Sequence, residues 1–313
     1  MTTLDRYRGC LLGLAAGDAL GTTLEFQGPG TFAPLTDIVG GGPFDLKPGE
    51  WTDDTSMALC LAESLVTQKG FDPVHQLETY CRWRRDGHLS VKGRCFDIGI
   101  TTAGALRRFE QTREPFPGST DPGAAGNGSL MRLAPAPLAF AGKPDVAVFM
   151  AGQSSRTTHG AKECVDSCRY FAGLLLAAVN GLSKEQILGN EYEPAVRWFL
   201  GEPLAPKVAE VAGGSFKRKS PPEIRGSGYV IHTLEAALWA FHATDTFRDG
   251  ALRVVNLGED ADTTGAVYGQ IAGAFYGEEG IPAGWRAKLA MRELIERRAG
   301  ELHALAGLGE PGA

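Results

Sequence analysis

Along most of the chain, apolar residues recur at three- and four-residue spacing, the period of a helix with one buried face. In the first segment, for example, Leu4, Tyr7, Leu11 and Leu14 fall on one stripe. The pattern predicts helices over residues 4–20, 53–67, 73–84, 98–110, 146–153, 159–180, 183–189, 230–243, 247–256, 262–276 and 283–306. Runs of alternating β-branched residues bounded by hairpin turns do not stand out, so the expected fold is all-α, many packed helices with no sheet. The stretches 28–49, 114–128 and 202–228 are rich in Gly and Pro and read as long loops, which in a compact domain often carry function. None has the composition of a flexible linker, so residues 1–313 are expected to form a single domain, with the last nine, 305–313, frayed.

Gly9, Gly13, Gly17 and Gly21 follow one another at four-residue spacing in the first helix. This removes side chains from one edge and lets another backbone approach, or else leaves space around two carboxylates, Asp18 and Glu25, further along the same segment.

Composition narrows the class. The chain has 43% hydrophobic and 22% charged residues and a formal net charge of −6, which fits a soluble globular protein and offers no broad footprint for nucleic acid or an anionic membrane. The six cysteines contain no C-x-x-C pair, and Cys164 and Cys168 sit one helical turn apart in an apolar run, so buried reduced thiols and a cytoplasmic setting are expected. No run of about 18 apolar residues suggests a membrane span.

Two acidic clusters carry the chemistry. Thr52-Asp53-Asp54-Thr55 opens one helix, and Glu259-Asp260-Ala261-Asp262-Thr263-Thr264 opens another late in the chain. Either alone reads as a cap with acids at the positive end of a helix dipole, Thr52 being the cap in the first. Together they hold more carboxylate than capping requires, and neighbouring carboxylates repel. Hard divalent cations such as Mg²⁺ or Mn²⁺ take such oxygen donors, and the supply of ligands suits two ions better than one. Gly126-Asn127-Gly128-Ser129 is either an ordinary turn or a glycine-lined anion site. Arg156 and His159, ahead of a long apolar helix, are a second candidate anion contact.

In order, GLAAGDALGTTLEF, WTDDTSMALC, GNGSLMR, SRTTHG, TLEAALWAF and GEDADTTGAVYGQIAGA resemble the ADP-ribosylglycohydrolase family, and within it the bacterial branch that reactivates dinitrogenase reductase. The resemblance implies an all-α, multi-helix orthogonal bundle with a binuclear Mg²⁺ or Mn²⁺ centre in a cleft that receives ADP-ribose. By motif it places Thr52, Asp53, Asp54, Asp260, Asp262 and Thr263 at the metals. Glu25 matches a glutamate that approaches the scissile ribose, and Gly126, Asn127, Gly128, Ser129 and His159 match positions that contact diphosphate and ribose. Asp97 and Tyr229 resemble residues that line the arginine pocket of the arginine-directed branch, where a carboxylate and an aromatic face suit a guanidinium. Their structural alternatives are an N-cap and core packing.

The implied activity is metal-dependent hydrolysis of the N-glycosidic bond of ADP-ribosylated arginine on proteins, with Glu25, Asp54, Asp97 and Asp262 as catalytic groups. ADP-ribosylserine or other conjugates remain open as substrates, as does a catalytically silent ADP-ribose-binding protein. Also open are the choice between Mg²⁺ and Mn²⁺ and the identity of the proton donor. The expected partner is an ADP-ribosylated protein, nitrogenase iron protein being one candidate, and the default state is a monomer.

Overall fold

The structure is a computed structural model that describes residues 1–189 and 201–307, so positions 308–313 of the expected frayed tail lie outside the described residues. Among the described residues it is helical throughout: α1 Thr3–Gly21, α2 Asp53–Gln68, α3 Pro73–Asp86, α4 Ile100–Thr112, α5 Pro135–Ala139, α6 Pro144–Arg156, α7 Lys162–Val179, α8 Lys184–Leu188, α9 Pro206–Ala212, α10 Val230–Ala243, α11 Phe247–Val255, α12 Ala261–Tyr276, α13 Ala283–Lys288 and α14 Arg292–Leu305. Isolated bridges such as Gly126 with Tyr229 are the extended pairings found there. No helix among these residues is long and apolar enough to cross a membrane. All six cysteines are unpaired.

A capping box starts α1, the Thr2 side chain accepting from the Asp5 N–H while Asp5 accepts from the Thr2 N–H. From Gly9 to Gly21 every residue of this helix is buried, and α12, α14, α2 and α7 pack around it. The glycine stripe is a packing seam. A Cβ on Gly13 would lie 2.2 Å from the Gly269 carbonyl oxygen, and one on Gly17 would lie 1.9 Å from that of Gly265. The facing helix repeats the device, since a Cβ on Gly269 or Gly273 would come within 1.9 Å of the Gly13 or Gly9 oxygen. The pairing runs in opposite order along the two chains, so α1 and α12 are antiparallel and touch backbone to backbone. This contact sets Asp18, next to Gly17, against Asp262, one turn ahead of Gly265.

Three expectations require correction. The helix expected over 283–306 is broken, because Ala290 donates its N–H to the Gly49 oxygen (3.0 Å) and accepts from the Trp51 indole (3.1 Å). Met291 then takes a left-handed conformation, φ 53°, before α14 begins. The helix expected from His159 starts at Lys162. Two short helices were not expected, α9 inside the stretch 202–228 read as a loop and α5 in a segment given no element, and both begin on a proline, whose fixed φ suits a first helical turn.

The loop 28–49 holds one isolated bridge, Gly41 with Leu46, and is otherwise pinned to the body by side chains. Asn256 exchanges hydrogen bonds with both backbone groups of Leu35 (2.7 and 3.1 Å), and Asp37 accepts from Trp285 and Lys288.

Candidate metal centre and substrate cleft

α1 ends at Gly21, one 3₁₀ turn follows over Thr22–Leu24, and the chain then bends at Glu25. The start of α2 lies beside this bend. Its cap is not the Thr52 side chain, which makes no capping hydrogen bond. The cap comes from α1: Asp18 Oδ1 accepts from the Thr52 N–H (2.9 Å), and Oδ2 accepts from the Thr55 N–H (3.0 Å) and hydroxyl (2.6 Å). A buried carboxylate at the positive end of a helix is favourable, and these bonds oppose the burial that raises the Asp18 pKa to about 6.

Thr52 sits among three carboxylates. Its hydroxyl lies 3.0 Å from Asp18 Oδ1, 3.0 Å from Asp54 Oδ2 and 3.3 Å from Asp262 Oδ2. One hydroxyl proton can serve only one of these oxygens at a time. Asp54 Oδ1 and Glu25 Oε2 are buried without a hydrogen-bond partner in the protein. Buried acceptors in this state are costly unless a cation faces them. Burial, and after it the neighbouring carboxylates, hold Asp53, Asp54 and Asp262 well above the ordinary carboxylate range.

Oxygens of Asp18, Asp54 and Asp262 all lie within 4.8 Å of one another, and so do oxygens of Glu25, Asp97 and Asp262. The two sets share Asp262. An all-oxygen donor set of this kind fits hard divalent ions and lacks the imidazole or thiolate that zinc prefers. Asp18, read from sequence only as a carboxylate along the glycine helix, belongs to this cluster. Asp53 (7% exposed) and Thr263 (5%) border the cleft beside it.

Asp260 reaches the same corner from the start of α12. Its N–H donates to the Gly226 oxygen (2.7 Å), and its Oδ2 accepts from Asn127 Nδ2 (2.7 Å). Asn127 Nδ2 also donates to Thr233 (2.9 Å), so both amide protons are used within the protein and Asn127 holds Asp260 in place.

A cavity of about 450 Å³ opens from this corner, within the usual size range of small-molecule sites. Glu25, Asp97, Gly126, Asn127, Gly128 and His159 line it together with Asp53, Asp260, Asp262 and Thr263. The Cε1–Nε2 edge of the His159 ring packs against the glycine turn: a Cβ on Gly128 would come to 2.8 Å from its Cε1. Arg132, fully buried, donates to the Gly128 oxygen, to the Tyr80 hydroxyl (2.7 Å) and to the Thr158 hydroxyl (2.7 Å). Thr158 is 2.8 Å from His159 Nδ1 and has its proton available for that nitrogen. The network therefore assigns the imidazole proton to Nε2, on the side of the glycine turn. Burial, with Arg132 nearby, lowers the His159 pKa to about 3, so the ring is a neutral N–H donor.

Other expected positions lie elsewhere. Ser129 is behind the turn, where it accepts from Ser155 (2.8 Å), and does not line the cavity. Arg156 is exposed and stacks on Phe116, 5.0 Å from the ring centroid. Tyr229 is outside the cavity, its hydroxyl donating to Glu163 (2.5 Å) and accepting from Lys207 (2.8 Å). Asp97 does reach the cavity. It is half-buried, has a left-handed φ of 50°, and leaves the N-cap of α4 to Gly99. Burial, then Asp260 and Asp18, raise its pKa to about 7. Glu25 is raised further, to about 9, by burial, then by Asp97 and Asp260. Arg132 closes the GNGSLMR motif and carries no role that its sequence position alone suggests. The signal available was a lone Arg inside an apolar segment, a position that only a fully satisfied guanidinium can occupy.

A helical body with paired acidic helix starts at one end of a cleft is suited to holding divalent cations beside a small-molecule ligand. Residues 1–311 match the ADP-ribosylglycohydrolase family, and the chain belongs to it. It is 46% identical over 299 residues to the ADP-ribosylarginine hydrolase Tri1 of Pseudomonas putida (strain GB-1), covering 96% of this chain and 78% of that protein. Against the ADP-ribosyl-(dinitrogen reductase) glycohydrolase of Rhodospirillum rubrum it is 36% identical over 316 residues, with 97% of each covered. A solved structure of an ADP-ribosylglycohydrolase-related protein complex superposes with a TM-score of 0.85 at 45% identity, covering 97% of this chain and 99% of that one.

Proposed function

We propose that this protein hydrolyses the N-glycosidic bond between ADP-ribose and an arginine side chain, releasing ADP-ribose. The observation that carries the reading is one cavity that brings together the shared carboxylate corner, the glycine turn with its neutral imidazole donor, and Asp97 with Glu25. The names of the relatives at 46% and 45% identity support arginine as the acceptor. Asp18, Asp54, Asp260 and Asp262, with Thr52, Asp53 and Thr263 beside them, would hold two divalent cations, Mg²⁺ or Mn²⁺. When bound, such ions supply positive charge for ribose hydroxyls and a more acidic water.

The chain's own groups do the rest. The glycine turn and the His159 Nε2–H face the diphosphate and ribose, and Arg132 keeps that imidazole in the donor tautomer. Asp97 receives the guanidinium, a cation that draws the carboxyl, at about 7 without it, towards its ionised form. As the bond from the anomeric carbon to nitrogen breaks, nitrogen keeps the electron pair and water oxygen bonds to carbon. Glu25 and Asp97 relay the water's proton to the departing nitrogen, so guanidinium and ADP-ribose are the balanced products.

Incubation with ADP-ribosylated arginine and serine peptides, with Mn²⁺ or Mg²⁺ and then with chelator, tests this. Free ADP-ribose is expected from the arginine conjugate, with loss on chelation, and Asp97→Asn should slow release by about 10²-fold. Release from serine alone, or from neither peptide, sinks the arginine assignment. The reading extends to a cytoplasmic monomer acting on an ADP-ribosylated protein. Nitrogenase iron protein is one candidate, supported by the Rhodospirillum rubrum relative.

A further inference from the structure

Among the described residues, the two most exposed large hydrophobic side chains are Ile100 (89%) and Phe26 (71%), and both stand at the mouth of the same cavity. Scattered single apolar residues on a surface need no explanation. These two are not scattered, and the backbone under Phe26 is strained. Its φ is 63°, a left-handed conformation that an aromatic residue rarely adopts. Two backbone hydrogen bonds hold it there: Phe26 N–H to the Glu259 oxygen and Glu259 N–H to the Gln27 oxygen, each 2.7 Å. Glu259 is itself left-handed, at 58°, and immediately precedes Asp260. The metal corner and the outward Phe26 ring are therefore fastened to the same clamp.

The ring continues into a wall. Phe26 meets Phe44 edge-on at 6.4 Å, and Phe44 meets Phe96 at 5.3 Å, one residue before Asp97. On the other side of Asp97, Ile98 borders the cavity and Ile100 begins α4 in solvent. Asp97 thus sits between two apolar lips. A cavity of about 450 Å³ accommodates a ligand on the scale of a nucleotide sugar, not a polypeptide. The chain that carries a modified arginine must stay at the mouth, with its guanidinium at Asp97.

Building on the hydrolase reading above, we infer that Phe26 and Ile100 form a docking rim for the polypeptide of the substrate, gripping an apolar residue of that polypeptide beside the modified arginine. The positive guanidinium between them is matched by the acids at the mouth, which selects a cationic side chain set in apolar surroundings over a purely apolar surface.

The test compares two conjugates in the same assay, free ADP-ribosylarginine and an ADP-ribosylated protein carrying the modified arginine on its surface. The variants are Phe26→Asn, chosen because Asn tolerates the left-handed backbone, Ile100→Ser, and the pair. The pair should lower kcat/KM on the modified protein by at least about tenfold, as loss of an apolar anchor does, and change it on the free conjugate by less than about threefold. Phe26→Tyr, which keeps the ring, should retain activity on the protein. Equal loss on both conjugates, or no loss on either, overturns the rim while leaving the chemistry intact. If the wild type turns over neither conjugate, the hydrolase reading itself falls and the rim with it. A concentration-dependent wild-type dimer in sedimentation that the paired variant abolishes assigns the rim to a second copy of this chain and overturns the inference.

Discussion

Along the seam between α1 and α12 two backbones touch with no side chain between them, whereas at the cleft mouth side chains stand in solvent on backbone conformations that L-residues avoid. The seam has no freedom left: glycine oxygens on each helix occupy the space where a Cβ of the other would go. The mouth departs from local preference at Phe26, Asp97 and Glu259, all with left-handed φ, and two of these three residues line the cavity. A stability device can use the least demanding geometry available. A device that aims groups at a substrate must override it, and the surrounding hydrogen bonds, such as the clamp between Phe26 and Glu259, sustain the strain. The acidic corner lies between the two regions, positioned by the seam and facing the mouth.

The largest effect is expected at the seam. Gly269→Val would place a branched side chain where even a Cβ comes within 1.9 Å of the Gly13 oxygen. The helices would have to separate and Asp262 would move from Asp18, so destabilisation above ~3 kcal/mol and loss of activity should appear together in urea unfolding and turnover assays. Wild-type stability in this variant would show that the seam is not the scaffold of the corner.

At the corner, activity and stability should part. Asp54→Asn removes a carboxylate whose Oδ1 is buried without a partner, next to Asp18 and Asp262. Turnover should fall on the order of 10³-fold, the rise in Tm caused by Mn²⁺ should shrink, and the metal-free protein should become more stable because a buried like charge is gone. A metal-free variant less stable than the metal-free wild type would contradict the electrostatic account.

The same contrast predicts a pH dependence. Carboxyl groups titrate near 4 in an unfolded chain, while burial raises Asp18 to about 6, Asp97 to about 7 and Glu25 to about 9 in the folded one. Over that interval the native state binds more protons than the unfolded state, so the stability of metal-free protein is greatest below pH 4 as far as these groups are concerned and is lost as pH rises towards 9. Thermal melts of chelated protein should show Tm falling across this window, with added Mn²⁺ opposing the fall. A flat wild-type curve would remove the coupling claimed for these acids.

What could be read from the chain follows the same division. The periodicity located most long helices within a few residues, because a buried stripe repeats at the helical period whatever its neighbours are. The α13–α14 break was not legible, since it arises from Gly49 and Trp51, far away in sequence. The two aspartate–threonine clusters were visible because their acids exceed what capping needs. Asp18 was not assigned to them, because its role depends on the facing stripe Gly265, Gly269 and Gly273, and only the stripe in α1 was read. Asn127 and Arg132 show the same limit: their types suggested ligand contact or nothing, while their partners, Asp260 just ahead of α12 and Thr158 in the turn between α6 and α7, come from distant segments.

The smallest effect is expected at Tyr229, where sequence resemblance pointed to the arginine pocket. Its hydroxyl is held between Glu163 and Lys207 and its ring meets His232 edge-on at 5.0 Å, outside the cavity that holds Asp97. Tyr229→Phe removes two partly exposed hydrogen bonds, each costing about 0.5–1.5 kcal/mol, and should leave turnover of an arginine conjugate within about threefold of wild type. The neighbouring backbone has a closer link to the site, because Gly228 accepts from the Asn127 N–H (3.1 Å) and the Ala125 oxygen accepts from the Val230 N–H (3.1 Å). Through those bonds the segment steadies the glycine turn whether or not the hydroxyl is present. A loss beyond tenfold in Tyr229→Phe, with KM for the arginine conjugate raised and stability unchanged, would mean that the tyrosine turns inward to meet the acceptor, and the mouth would then extend past the apolar lips on either side of Asp97.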